Sequence, residues 1–296
     1  MTARSGADVT QASPVEDLLS VLNLASSDAR TTEDIFTGVS QSMPTGRVFG
    51  GQVLAQAIVA AERTVEEGRV AHSMHGYFLR PGDSARGMTF SVDRIHDGRS
   101  FSTRRTQAFQ DGMPIFSMIA SFETHDEGLE HAQAMPSVPS PDELPHESDL
   151  DAIQPMSKRH FSRSPVEIRH VGSPIYMRVE GEHVPHQAVW LRTRGEIPDD
   201  PRLHRAALAY MSDLTIQESV LRAHGVAWGT PGLKVASLDH AMWWHRPARV
   251  DEWLLYVQES PSARGGRGLA TGRIFAQDGS LVASVAQEIM VRVPVS

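Results

Sequence analysis

The chain has 296 residues, of which 40% are hydrophobic and 22% are charged, with 23 Gly, 18 Pro and no Cys. This composition excludes a collagen-like, coiled-coil or largely disordered chain, and the lack of Cys excludes disulfides, thiolate metal sites and cysteine nucleophiles. The net charge of -8 at pH 7 disfavours a general surface for nucleic acid or anionic membranes, so we expect no nucleic-acid partner.

The distribution of apolar residues in the sequence predicts the cellular location of the protein. No apolar run approaches the roughly 18 residues that a membrane-spanning helix needs, so we expect no membrane span. Residues 1–14 carry polar side chains where a secretory leader would carry an apolar core. We therefore expect a cytoplasmic protein.

Residues 1–30 are interpreted as an N-terminal arm, and residues 31–123 as a first domain that opens with a strand at Glu33–Ser42. Apolar residues at helical spacing follow Gly50-Gly51 and predict a helix. They are Val53, Leu54, Ala57, Ile58 and Ala61. Turn dipeptides such as Asp97-Gly98 then separate β-compatible runs, which predicts an antiparallel meander. Its strands are His72–Leu79, Met88–His96, Ser100–Gln110 and Pro114–Phe122.

Residues 124–165 differ from both flanks because they are charged, aperiodic and rich in Pro. Each Pro removes a backbone donor and biases the preceding residue toward extended conformations. This segment is therefore predicted to be a linker that packs over a surface.

Residues 166–296 are interpreted as a second domain with the same order of elements as the first. Its predicted strands are Val166–Val171, Gln187–Arg194, Lys234–Trp244, Glu252–Ser260, Gly268–Gln277 and Leu281–Val291. The spacing of Leu214, Gln217, Val220 and Leu221 predicts a helix over Asp213–Ala223.

Two short motifs recur at almost the same separation in the two halves. Arg80-Pro81 precedes Gln110-Asp111-Gly112 by 30 residues (80 to 110), and Arg246-Pro247 precedes Gln277-Asp278-Gly279 by 31 (246 to 277). This match indicates an internal duplication. One helix against an antiparallel sheet in each half predicts an α+β fold, in which the two sheets pack together or join edge to edge.

Aligning the halves on these motifs shows three polar residues that only the second half has. Ser237 corresponds to Ala71, Gln287 corresponds to Ala120, and Asp213 lies where the first half has Gly50-Gly51. Gln287 shares a strand face with apolar residues that should be buried, so its amide needs hydrogen-bonding partners. The alternative role for Asp213 is to cap its own helix, and Ser237 could be an inert strand hydroxyl.

If these three side chains converge, they are suited to hold one water molecule. The carboxylate accepts a proton from the water, and the hydroxyl and amide fix its orientation. Backbone N–H groups at the helix N-terminus suit the negative oxygen of a tetrahedral intermediate. Such a site would hydrolyse an activated acyl group, and a thioester fits better than an amide because its thiolate needs no strong general acid to leave.

Several other chemistries are disfavoured by missing motifs. The sequence has no G-x-S-x-G elbow, no G-x(4)-G-K-[ST] loop, no G-x-G-x-x-G after a strand and no H-E-x-x-H. His72 and His75 are three apart on a predicted strand and point to opposite faces. We therefore predict no cofactor and no metal site.

The residues around these positions resemble the acyl-CoA thioesterase II (TesB-like) family. The matching stretches are GRVFGGQVLAQA (46–57), HSMHGYFLRPG (72–82), YMSDLT (210–215), SLDHAMWWHRP (237–247), DEWLLY (251–256) and ASVAQE (283–288). The resemblance implies a double hot-dog fold and hydrolysis of fatty acyl-CoA to free fatty acid and CoA. The family's water-activating residues fall on Asp213, Ser237 and Gln287, where Ser replaces the more familiar Thr.

The resemblance also implies acyl-CoA as the substrate and a homo-oligomer, either a dimer or a tetramer. An apolar tunnel for the acyl chain would be lined by Val53, Leu54, Met242 and Trp243. Arg264 and Arg267, in a Gly-rich turn, are candidates for binding the CoA phosphates, with plain solvation as the alternative. Two other functions remain open at this stage: an acyl-CoA hydratase or dehydratase, and a non-catalytic acyl-CoA-binding module.

Overall fold

Two antiparallel four-stranded units form the basis of this computed structural model, which describes residues 13–27, 33–146 and 164–294. In each unit the last three strands form a meander. The strand that follows the main helix pairs with the last strand of that meander rather than with its first, which corrects the predicted four-stranded meander. The first half contains β1 (Ala25–Ser26), β2 (Asp34–Gly38), β3 (Arg69–Phe78), β4 (Met88–Asp97), β5 (Phe101–Gln110) and β6 (Met113–Thr124). The second half contains β7 (Val166–His170), β8 (His186–Thr193), β9 (Lys234–Ser237), β10 (Asp239–Trp244), β11 (Leu254–Arg264), β12 (Arg267–Ala276) and β13 (Leu281–Arg292).

The two halves join edge to edge into one sheet. In the described residues its order is β1-β2-β4-β5-β6-β3-β10-β13-β12-β11-β8-β7, with β9 pairing β13. The strands β3 and β10 run antiparallel at the centre, with Asp239 opposite Tyr77 and Trp243 opposite Ser73. This seam covers an edge strand of each half. The fold is the predicted α+β double hot-dog, and we refer to residues 34–124 and 186–292 as the first and second repeats.

The helices lie against one face of this sheet. In the part of the chain that the structure describes, the α-helices are α1 (Pro14–Leu22), α2 (Gly50–Glu62), α3 (Pro201–Ser212) and α4 (Glu218–Ala223). Every residue of α2 from Gly51 to Glu62 is buried, and the helix packs on α3 as well as on β3, β4, β5 and β6. Most of its residues are small or apolar, as expected for a helix at the centre of a core rather than on its surface. Gly50 and Gly51 are the first two residues of α2 rather than a turn before it.

Only Glu218–Ala223 of the predicted helix over Asp213–Ala223 is helical, because the main helix of the second repeat ends where that prediction begins. The α3 helix starts at Pro201, whose predecessor Asp200 accepts a hydrogen bond from the Arg202 N–H at 2.9 Å. An Asp N-cap followed by Pro is a strong start signal. Asp213 is the C-cap residue of α3, and a turn separates it from the short helix α4.

The segment after β6 lies across the outer face of the second repeat, in its described part up to residue 146. The indole N–H of Trp190 donates to the Pro139 carbonyl at 2.9 Å, and Arg273 donates to Gln133 at 2.9 Å. Side chains of this segment also cover a small apolar cluster on that face. The described part is therefore a packed strap, as the Pro content predicts, and residues 147–163 lie outside the described residues.

The N-terminal arm contains a helix that belongs to the core. Ser13 and Glu16 cap α1 reciprocally, and Leu18 and Leu22 are buried in the main apolar cluster. Residues 1–12 and 28–30 of the predicted arm lie outside the described residues. No helix in the described part of the chain is both long enough and apolar enough to cross a membrane.

We expect Leu18→Ala to lower the free energy of unfolding by about 2–5 kcal/mol, because the truncation leaves a cavity beneath α1. Leu18 is 0% exposed. Leu129→Ala is the matched control, since Leu129 is fully exposed in the strap, and it should change stability by less than about 0.5 kcal/mol. Denaturant unfolding of both variants measures this difference, and equal stability of the two would show that α1 is not part of the cooperative core.

Candidate active site at the junction of the two repeats

Asp213 lies between the C-terminus of its own helix and the N-terminus of a helix from the other repeat. It is the C-cap of α3, and its carboxylate accepts a hydrogen bond from the Gly51 N–H in the first turn of α2. The N-cap residue of α2, Phe49, provides no side-chain hydrogen bond. The expectation that Asp213 sits at the N-terminus of its own helix is therefore wrong, because its carboxylate caps α2 instead.

The Gly-Gly pair makes this approach of the two repeats possible. A Cβ atom on Gly50 would lie 2.6 Å from Asp213 Oδ2, and one on Gly51 would lie 2.4 Å from the Tyr210 carbonyl oxygen. Both distances are shorter than real Cβ contacts allow. The two glycines thus bring the N-terminus of α2 into contact with the end of α3.

The three polar side chains predicted from the sequence converge at this junction. The Ser237 hydroxyl donates to Asp213 Oδ1 at 3.2 Å, and Gln287 Nε2 donates to Ser237 Oγ at 2.8 Å. Gln287 also donates to the Asp213 carboxylate. Asp213 is 4% exposed and Gln287 is 0% exposed. The buried amide has the partners that its position requires.

A β-bulge between β9 and β10 aims two side chains at the same amide. Ser237 is opposite Ile289, whereas Ala241 is opposite Ala286. The four residue steps from Ser237 to Ala241 therefore match only three steps on β13, which means that the β9–β10 side contains one extra residue. The extra residue places Ser237 and His240 on the same inward side, although ordinary alternation would separate them. Both side chains then contact Gln287.

Two residues of this network were missed at the sequence level. His240 is fully buried, with its Nδ1 against Gln287 Oε1 and its Nε2 2.9 Å from Ser212 Oγ. Gln217 Nε2 donates to Ser237 Oγ at 2.9 Å. Gln217 belongs to the mispredicted helix, and the orientation of His240 depends on the bulge. The sequence signal for His240 was the same alignment of the halves, which pairs it with the apolar Met74.

Burial sets the protonation equilibria of the site. Desolvation raises the pKa of Asp213 to about 6, although hydrogen bonds from Gln287, Ser237 and the Gly51 N–H act in the opposite direction. Desolvation also lowers the pKa of His240 to about 4, so this imidazole is neutral at pH 7. The site therefore combines a carboxylate that titrates close to neutral pH with an uncharged histidine.

The corresponding place in the first repeat is filled by an arginine. Arg104 is opposite Ala120, as Ala270 is opposite Gln287 in the second repeat. The buried Arg104 guanidinium donates to both the side chain and the carbonyl of Thr64, just after the end of α2. The small residue at position 270 leaves room for Gln287, whereas the first repeat has a guanidinium in the equivalent place.

The residues predicted to bind the acyl chain do not share one location. Val53, Leu54 and Met242 are buried in the main apolar cluster. Trp243 lies on the other face of β10, where its ring packs edge-on against His75 with a centroid distance of 5.0 Å. Met242 and Trp243 therefore cannot line the same interior tunnel.

The two candidate phosphate-binding arginines lie at the tip of the β11–β12 hairpin. Both line a surface cavity between this hairpin and α4, together with His224. The rest of the cavity wall is largely apolar and is formed by Val220, Leu221, Val226, Ala263, Val291 and Val293. Arg267 is paired with Glu288 at 2.9 Å, so Arg264 is the stronger candidate for an anionic ligand. Within the described ranges, no group of three or more His, Asp or Glu residues is placed to hold a metal ion.

Comparisons with known proteins agree with this architecture. Family models described as acyl-CoA thioesterase and acyl-CoA thioesterase N-terminal domain match residues 157–290 and 39–123. Acyl-CoA thioesterase 2 of Haemophilus influenzae is 38% identical over 267 residues, covering 87% of this chain and 92% of that protein. Human acyl-coenzyme A thioesterase 8 is 38% identical over 288 residues, covering 92% and 88%. The crystal structure of an acyl-CoA thioesterase II from Mycobacterium marinum is 44% identical, with a TM-score of 0.78 and coverage of 94% and 98%.

The raised pKa of Asp213 predicts a pH-dependent effect of Asp213→Asn on stability. Because the folded-state pKa of about 6 exceeds the ordinary aspartate pKa of 3.8, the folded protein binds an extra proton between these values and loses stability as the pH rises through them. Relative to wild type, the variant should therefore gain about 2 kcal/mol of unfolding free energy between pH 4 and pH 7. Urea unfolding at both pH values measures the change, and a pH-independent difference would contradict the buried carboxylate.

Proposed function

This chain belongs to the acyl-CoA thioesterase family, and we propose that it hydrolyses fatty acyl-CoA to a free fatty acid and CoA with a water molecule activated by Asp213. Membership of the family makes it a thioester hydrolase. The observation that carries the proposed mechanism is the convergence of Asp213, Ser237 and Gln287 at the N-terminus of α2.

Each of the three side chains has a separate role in this proposal. Asp213 takes a proton from the water as the water oxygen attacks the thioester carbon, which gives a tetrahedral intermediate and a protonated carboxyl. Collapse of the intermediate breaks the carbon–sulfur bond. The thiolate of CoA then takes the proton from the Asp213 carboxyl, which restores the carboxylate. Ser237 and Gln287 hold the carboxylate and the water in the geometry for attack.

The pKa of Asp213 suits a general base. A carboxylate with an ordinary pKa is a weak base at neutral pH, and desolvation brings this one to about 6. General-base catalysis is most effective when the pKa lies close to the working pH. The buried setting therefore strengthens the proposed role.

Electrophilic assistance comes from the other repeat. The α2 helix points its N-terminus at the site and has no side-chain cap of its own. Its dipole, together with a first-turn N–H group other than that of Gly51, favours the negative oxygen that forms on the substrate carbonyl. The proposed site thus needs both repeats, whereas the sequence interpretation assigned it to the second repeat alone.

Substrate binding is proposed along the surface between the hairpin tip and α4. The Arg264 side chain is exposed there and suits the phosphates of CoA, and Val53, Leu54 and Met242 remain the candidates for contact with the acyl chain. Residues 31–123 and 166–296 remain our proposed domain boundaries. The predicted homo-oligomer and cytoplasmic location stay predictions.

Asp213→Asn should lower kcat for acyl-CoA hydrolysis by at least about a hundredfold, because the amide cannot accept the proton of the water. In the wild type, kcat should rise with pH through about 6, the pKa of Asp213. Release of free thiol from acyl-CoAs of increasing chain length, measured with a disulfide dye, gives both values.

A folded Asp213→Asn variant that keeps full hydrolysis across these substrates would exclude the proposed base. Hydration of an enoyl-CoA without thiol release would instead support a hydratase. Binding without either reaction in the wild type would support a non-catalytic module.

Gly50→Ala should reduce kcat by at least about tenfold, because the added methyl group displaces the Asp213 carboxylate from its position. The clash is with Asp213 Oδ2 at 2.6 Å and with the Phe78 ring at 3.1 Å. Gly128→Ala is the matched control, since a Cβ there meets no atom within 4 Å. Kinetic constants of both variants decide the point, and unchanged kcat in Gly50→Ala would contradict the geometry.

A further inference from the structure

The buried imidazole of His240 lies between the Gln287 amide and the Ser212 hydroxyl. Its Nδ1 contacts Gln287 Oε1, and its Nε2 is 2.9 Å from Ser212 Oγ. His240 is 0% exposed and does not contact the Asp213 carboxylate in any hydrogen bond that the structure shows. Any effect of His240 on the reaction must therefore pass through a neighbour.

The surroundings of Gln287 favour one orientation of its amide. On one side, Nε2 donates to Ser237 Oγ and to the Asp213 carboxylate, so the amide nitrogen must face them. On the other side, Oε1 faces His240 Nδ1 and needs a donor there. A flipped amide would place its oxygen against the carboxylate and its N–H group against the histidine.

The protonation state of the histidine decides whether this orientation is stable. A neutral imidazole has one N–H donor and one acceptor nitrogen. If the proton is on Nδ1, it is donated to Gln287 Oε1, and the bare Nε2 accepts from the Ser212 hydroxyl. The single proton of that hydroxyl then points to the imidazole rather than to the Ala209 carbonyl, which lies 2.8 Å from Ser212 Oγ. If the proton is on Nε2, two acceptor lone pairs meet between Nδ1 and Oε1, which favours the flipped amide.

We propose that His240 is a positioning residue, which acts as the neutral tautomer protonated on Nδ1 and locks the Gln287 amide with its nitrogen toward Asp213 and Ser237. This inference rests on the proposed function for its effect on catalysis. It assigns to His240 the orientation of the group that holds the attacking water.

The first repeat supports the pairing of these two residues. Met74 and Ala120 are the residues equivalent to His240 and Gln287, and they lie opposite each other on β3 and β6. Both are buried and apolar. The second repeat thus has both polar residues and the first repeat has neither. This is expected if each residue is needed as the hydrogen-bonding partner of the other.

The burial of His240 agrees with a neutral ring. Desolvation lowers its pKa to about 4, so the imidazole carries no charge at the pH of the reaction. Ser212 is adjacent to Asp213 in the chain, and the Tyr256 hydroxyl donates to its carbonyl at 3.0 Å. The Nε2 side of the imidazole therefore contacts the same turn that carries the Asp213 carboxylate.

Two substitutions separate the proposed hydrogen bond from simple packing. The amide nitrogen of an asparagine side chain lies where the histidine has Nδ1, whereas that of glutamine lies where it has Nε2. His240→Asn therefore keeps a donor toward Gln287 Oε1, and His240→Gln does not. We expect kcat to fall by at least about tenfold in His240→Gln and by no more than about threefold in His240→Asn, with KM nearly unchanged in both.

A packing role predicts the opposite order, because glutamine is closer to histidine in volume. His245→Gln is the matched control and should keep the wild-type kcat, since His245 contacts Ser284 on an exposed part of the strand rather than the site. Equal or higher kcat in His240→Gln than in His240→Asn would overturn the proposal.

The tautomer itself is measured on the wild-type protein, so the test does not depend on the variants folding. The ¹⁵N shifts of the His240 ring, assigned by their loss in either variant, should show a protonated Nδ1 and a bare Nε2 at pH 7. A proton on Nε2 would overturn the proposal. If the wild type shows the expected tautomer but hydrolyses no acyl-CoA, the proposed function fails while the hydrogen-bond assignment stands.

Discussion

The contact between the Asp213 carboxylate and the first turn of α2 is the constraint on which the rest of the structure depends. The carboxylate comes from the end of one repeat's helix, and the N–H group that receives it comes from the start of the other's. This contact requires α2 and α3 to pack side by side in opposite directions and at close range, which the glycines at positions 50 and 51 allow. It also requires the two sheets to be fixed relative to each other, which the pairing of β3 with β10 provides.

The duplication explains why the site is asymmetric. Both repeats have the β-bulge in the strand after the main helix, since the pairing of β3 shifts between Ala71 and Ser73 as that of β9 and β10 does around Leu238. The backbone feature that aims two side chains inward is therefore common to both repeats, whereas the polar residues that use it are found in the second repeat alone. In the first repeat these positions are apolar and Arg104 fills the space, whereas in the second repeat Ser237, His240 and Gln287 form a connected network.

Local signals predicted the strands well, because turn dipeptides and the recurring motifs bracket each meander. The same signals misplace the second main helix, since Ser212-Asp213 resembles a helix start, whereas the actual helix begins at Asp200-Pro201. The convergence of Asp213, Ser237 and Gln287 followed from comparing the halves. The contribution of Gly51, the bulge and the orientation of His240 did not, because each depends on pairing across strands or repeats that no single segment encodes.

Burial gives the site its chemistry and also makes it costly to fold. An ionised carboxylate removed from water destabilises the folded state, and the same desolvation makes Asp213 a stronger base. Hydrogen bonds from Gly51, Ser237 and Gln287 offset part of this cost without restoring an ordinary pKa. A neutral histidine is the suitable neighbour for such a network, because it can fix the Gln287 amide without adding a positive charge that would lower the basicity of the carboxylate. The choice of His240 over a lysine or arginine thus follows from the same requirement that keeps Asp213 buried.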